Sequence, residues 1–162
     1  MLVRESVQDL PVSAAVLWAI LARLDGVSEW NPIIGLKGTA ELNAELRITF
    51  KELKTTWPNA AGPARLVLFE PPNAIGWRIR IPLLLEVDET ITLLKGETGT
   101  LVTRRIVGTG LIAKIAPSWL TQQLQTYIKG GDKSLESIVL RLPKPKTVGF
   151  ARAKTQALSG LL

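Results

Sequence analysis

The chain has neither cysteine nor histidine among its 162 residues. Without Cys, disulfides, thiolate nucleophiles, iron–sulfur clusters and Cys-ligated zinc are excluded. Without His, the usual general base near neutral pH is gone, and Ser-His-Asp and Cys-His catalysis go with it. Any chemistry would fall to Asp, Glu, Lys, Arg, Tyr, Ser, Thr or a bound cofactor. Neither a GxGxxG nor a GxxxxGK[ST] phosphate loop occurs, and no acidic cluster has the loop spacing of a calcium site. The residues therefore imply no metal and no cofactor.

Long apolar runs are missing too. None reaches the roughly 18–20 residues that a membrane span needs; the stretch from Ala14 to Leu24 is shorter and contains Arg23. The first ten residues carry Glu5 and Asp9 and lack the apolar centre of a signal peptide. With no Cys as well, the expected compartment is the cytoplasm. The net charge of +6, from 20 Lys+Arg against 14 Asp+Glu, first suggests an anionic partner. Four of those charges, Lys144, Lys146, Arg152 and Lys154, lie in residues 143–162, which contain no acid. The body, residues 1–142, is nearly balanced, and its basic residues do not cluster on one element as a nucleic-acid footprint requires.

What is present is an ordered alternation of two periods. Leu2 to Asp9 reads as a strand, broken by Pro11. Ser13 is an N-cap for a helix through Leu24, with Leu17, Ile20, Leu21 and Leu24 forming its apolar stripe and Asp25-Gly26 closing it in a left-handed cap. A helical turn from Val27 to Trp30 stops at Asn31-Pro32. Strands are then predicted over 33–40, 45–53, 64–70, 75–81, 86–95 and 98–108, with a loop over 54–63 that carries Trp57. Over 75–81, Trp77, Ile79 and Ile81 alternate with Arg78 and Arg80.

From Ser118 the period becomes helical. Leu120, Leu124, Tyr127, Ile128, Leu135, Ile138, Val139 and Leu142 share one face, and Pro117 suits the first turn. Gly131 lies on the same face. The run Lys129-Gly130-Gly131-Asp132 reads either as a break, with Asp132 capping a new helix, or as one long helix thinned at a glycine with space beneath it. The stripe keeps its phase across the glycines, which favours one helix. An α+β fold follows, in which a seven-stranded antiparallel sheet wraps a long C-terminal helix. A sheet gripping a helix leaves an internal cavity. Residues 143–162 form a basic tail: either a flexible segment or, through Phe150, Leu158, Leu161, Leu162, Arg152 and Lys154, an amphipathic helix able to touch an anionic membrane surface.

This order resembles the START-like helix-grip superfamily, also called SRPBCC, which includes polyketide cyclase/dehydrase-like proteins, lipid-transfer domains and pollen-allergen-type ligand binders. The segment from Pro11 to Trp18 looks like that family's first-helix start, and Glu29-Trp30-Asn31-Pro32 like an element of its second helix. Leu68-Phe69-Glu70-Pro71-Pro72, with Ile75 and Trp77, resembles its strand–turn–strand. Gly99 to Thr103 and Gly110-Leu111-Ile112 resemble its last strand and the approach to the closing helix. The resemblance spans residues 3–142. Many relatives carry His or Glu along the last strand, where this chain has Arg104 and Ile106, and the tail has no counterpart in the core fold.

The resemblance implies a cavity for a small hydrophobic molecule (a lipid, an isoprenoid or a polyketide-like compound), lined by Trp30, Phe50, Trp77, Ile79, Ile91, Leu93, Val102, Arg104, Trp119, Gln123 and Tyr127. It implies no reaction, because the superfamily has no universal catalytic set. Two functions stay open on these residues. One is binding or carriage. The other is a cyclase or dehydratase in which Arg104 stabilises an enolate and Tyr127 or a carboxylate moves a proton. Each site residue also has a plainer reading, Arg104 as a paired rim residue and the aromatics as core packing.

Overall fold

The computed structural model describes residues 1–51 and 61–143. Seven strands form one antiparallel sheet in the order β1-β7-β6-β5-β4-β3-β2. They are β1 (Leu2–Leu10), β2 (Ile34–Lys37), β3 (Glu45–Phe50), β4 (Ala61–Glu70), β5 (Ala74–Ile81), β6 (Leu85–Lys95) and β7 (Thr100–Thr109). The helices are α1 (Ala14–Leu21), α2 (Val27–Trp30), α3 (Leu111–Ile115) and α4 (Pro117–Arg141), with a 3₁₀ turn at Leu24–Gly26 between the first two. This is the helix-grip arrangement expected from the two periods. Strands β2 to β7 are sequential neighbours, whereas β1 pairs with β7 and so closes the far edge.

Each strand sorts its side chains by the two-residue pleat. On β5, Trp77 and Ile79 are buried while Arg78 and Arg80 face solvent, where Arg78 forks onto Asp88 of β6 at 2.6 and 2.8 Å. On β7, Val102, Arg104, Ile106 and Gly108 point inward. Asp9, near the end of β1, accepts backbone N–H bonds from Thr98 at 3.0 Å and Glu97 at 2.8 Å, tying the β6–β7 turn to the edge strand. Those bonds, Thr98's first, hold its carboxyl below the usual range despite partial desolvation.

Helix α4 is continuous across Gly130 and Gly131. Two interior glycines cost roughly 2 kcal/mol together relative to alanine. Burial of Leu120, Leu124, Ile128, Leu135 and Val139 on the same face, at roughly 1.5–3 kcal/mol each, outweighs that. Pro117 sits in the first turn, where no N–H is needed.

Three expectations are corrected. Helix α1 ends at Leu21, three residues early. Gly26 is not a left-handed cap: its φ is −89°, and it lies in the 3₁₀ turn, where the Arg23 side chain covers it. Strand β4 begins at Ala61, so Pro63 lies in the ladder opposite Arg47 and not in a loop. Helix α3 is additional; five residues are too few to carry a periodic signal. Trp57 and the tail from residue 144 onward, with its membrane reading, lie outside the described residues. Among the described residues no helix is long and apolar enough to cross a membrane.

Candidate functional site

Between the first half of α4 and the inner face of β5 and β6 lies a cavity of about 100 Å³. Its walls are aliphatic: Ile33, Ile79, Ile81, Leu85, Val87, Ile112, Leu120 and Leu124, with Phe50 from β3 and Trp119 at the rim. Trp119 is 37% exposed, so the cavity meets the surface beside it. Helix α3 contributes Ile112, held in place because its N–H donates to the Leu84 carbonyl of the β5–β6 turn at 3.0 Å. Three polar residues interrupt the wall, namely Glu89 on β6 and Gln123 and Tyr127 on α4.

Glu89 belongs to a buried network. The Arg104 guanidinium donates to Glu89 Oε1 from Nη2 at 2.6 Å and from Nε at 3.1 Å. It also donates from Nη1 to Asp132 Oδ1 at 2.9 Å and to the Ile128 carbonyl at 3.3 Å. The Tyr127 hydroxyl donates to the other Glu89 oxygen, Oε2. The guanidinium carbon stands 5.3 Å from the Trp30 ring centre and 5.6 Å from that of Tyr127, within cation–π range. Trp77 backs Trp30 at 6.3 Å. Arg104 and Glu89 are each 1% exposed.

Burial works against the charge on Arg104, but Glu89, then Tyr127 and Asp132, more than offset it, and the guanidinium is held above its ordinary range. Burial pushes the Tyr127 hydroxyl well above its ordinary value, and the Glu89 charge adds to this while Arg104 pulls back. The phenol therefore stays a neutral donor. Gly131 explains how Arg104 reaches the helix: a Cβ there would collide with Nη1. The space read beneath a thinned helix is real, and the guanidinium fills it.

The structure thus divides the eleven residues named from the sequence. Phe50, Ile79, Trp119, Gln123 and Tyr127 line the cavity. Trp30, Trp77, Ile91, Leu93 and Val102 are buried in the core away from its wall. Arg104 points inward but meets carboxylates of its own chain and is not part of the cavity wall. The indole N–H groups of Trp30 and Trp77 find no acceptor among the described residues, and neither residue belongs to the cavity wall. Glu89 and Asp132 are site residues that the periodicities carry but no motif marks. Glu89 holds the inward position between Val87 and Ile91, and Asp132 follows Ile128 by four on the apolar face. Among the described residues no group of acidic side chains could hold a metal ion.

No family model matches the chain, and no curated protein sequence does. Solved structures match by shape. The di-domain ARO/CYC protein StfQ of the steffimycin biosynthetic pathway superposes with a TM-score of 0.69 at 12% identity, over 85% of this chain and 50% of that one. Protein TTHA0849 from Thermus thermophilus gives 0.66 at 11%, over 85% and 97%. Ara h 8.0201 gives 0.64 at 15%, over 85% and 97%. Identities this low establish shape, and the shape is shared from end to end of two of the three. By its shape the chain has the helix-grip α+β fold.

Proposed function

We propose that the protein binds a small hydrophobic molecule in the cavity beneath α4, without chemical change. One observation carries this reading: an aliphatic-walled space of about 100 Å³ lies under the helix and meets the surface at Trp119. An apolar cavity of roughly 150 Å³ is enough to hold benzene. The present one suits a single alkyl chain or one end of a larger apolar molecule, and not a polycyclic skeleton held whole.

The likeness to an ARO/CYC protein raises a cyclase as the competing function. The site supports it less. Its cation is locked in an internal ion network and its phenol is already committed to Glu89, so the wall offers no free electrophile for an enolate. The test is an NMR titration of the full chain with hexane, followed on the Trp119 indole. Saturable shifts at Trp119, abolished in the cavity-filling variant Val87→Phe while the fold persists, are the expected result. No shift at Trp119 at the solubility limit would overturn the binding reading.

A further inference from the structure

We infer that the molecule this cavity takes presents a hydrogen-bond donor, an alcohol O–H or a protonated amine, to Glu89 at its inner end. The inference rests on the binding reading above and adds the polarity of the occupant's head.

The acceptor count comes first. A carboxylate offers about four lone-pair positions on its two oxygens. In Glu89, Oε1 accepts twice from Arg104 and Oε2 accepts once from Tyr127. One position, on Oε2, remains, and Glu89 forms part of the cavity wall. Tyr127 has spent its only proton on Glu89, so toward the cavity its oxygen can only accept. Of the three polar wall residues, Gln123 alone still has N–H groups to give. The inner end of an otherwise aliphatic space is therefore rich in acceptors.

Charge points the same way. Two carboxylates, Glu89 and Asp132, surround one guanidinium. An anionic head would enter next to the surplus acid, in a medium where charge is weakly screened. The buried Arg104 guanidinium would be facing Glu89, Asp132 and the Ile128 carbonyl rather than such a head. This reverses what an inward arginine suggests from sequence alone, which is a site for a carboxylate or phosphate.

The experiment compares four probes of one size on the unmodified full chain by the same Trp119 NMR titration: hexanol, hexylamine, hexanoate and pentyl methyl ether, the last an isomer of hexanol without the O–H. A hydrogen bond to a charged acceptor corresponds to about a tenfold change in affinity. Hexanol is expected to bind about tenfold more tightly than its ether isomer, and hexylamine about tenfold or more above hexanoate. Hexanoate binding as well as hexylamine, or the ether as well as hexanol, would overturn the inference while leaving the cavity reading intact. Failure of hexane itself to bind would instead remove the cavity reading, and this inference with it. In Glu89→Gln the preference for hexylamine over hexanoate should vanish. If that variant does not fold, the probe series on the unmodified chain still decides.

Discussion

The two halves of α4 lie on the same sheet with the same apolar stripe, yet one leaves space beneath it and the other does not. From Trp119 to Tyr127 the helix presents Leu120, Gln123 and Leu124 to a cavity. In the half from Ile128 to Val139 the Arg104 guanidinium fills the space beneath the helix, so that Gly131 has no room for a methyl group. The difference lies in what the sheet sends up. Under the first half stand Val87 and Ile79, too short to fill the gap. Under the second, Arg104 spans it and is met by Asp132 and the Ile128 carbonyl from above and Glu89 from beside. Space survives where aliphatic side chains stop short. It closes where a long cation is bonded at both ends.

The largest effect should come from Arg104→Met. It leaves Glu89 and Asp132 buried without their cation, at a cost of about 3–5 kcal/mol, read as a loss of urea-unfolding stability. A change under about 1 kcal/mol would mean the closed half is held by packing alone.

Next is Tyr127→Phe, which strands Glu89 Oε2 and should cost about 1.5–3 kcal/mol. The same residue predicts a pH effect. Its folded pKa is raised by burial and Glu89, so this contribution to stability is complete below the unfolded tyrosine value of about 10 and is lost as pH rises above it. Tyr127 is the only tyrosine, so the tyrosinate absorbance band reports it alone. In the native protein that band should stay flat through the pH at which the urea-unfolded chain titrates, and rise only with alkaline unfolding. A native titration midpoint near 10 would break the assignment.

Adjacent glycines sharpen the contrast further. Gly131→Ala forces a methyl into the guanidinium, and about 1–3 kcal/mol of overpacking exceeds the roughly 1 kcal/mol that alanine normally adds to a helix. Gly130→Ala meets only the end of the Ile33 side chain, at 3.3 Å, so stability should rise by up to about 1 kcal/mol. Equal signs from the two, by urea midpoint, would refute the close approach. The smallest effect belongs to Trp119→Ala at the rim. With the residue 37% exposed beside an unfilled space, unfolding stability should fall by no more than about 1 kcal/mol, a loss far below that for Arg104.

Much of this was legible along the chain. The period-2 runs and the stripe from Leu120 to Leu142 mark the sheet and its closing helix, and the stripe's phase across Gly130-Gly131 marks that helix as one. That Arg104 shares a strand face with Val102 and Ile106 follows from the two-residue pleat, and the resemblance implied that this face turns inward. What Arg104 meets does not follow, because Glu89 lies 15 residues away on β6 and Asp132 lies 28 away on α4. Register across two strands and a helix brings them together: Ile91 pairs with Arg104, and Glu89 sits one inward step along from it. Trp30 and Trp77 show the same limit. Their burial is readable from apolar context, but whether a buried aromatic faces a cavity or another ring depends on partners from other elements.

The sequence by itself determined the elements, the faces they bury and the exclusion of His- and Cys-based chemistry, because these depend on residue type and on spacing along one helix or strand. Only the tertiary structure decided where the gap between sheet and helix stays open, and that the buried arginine is neutralised while a glutamate faces the cavity. Both outcomes turn on side-chain length and charge meeting across elements that are distant in the chain.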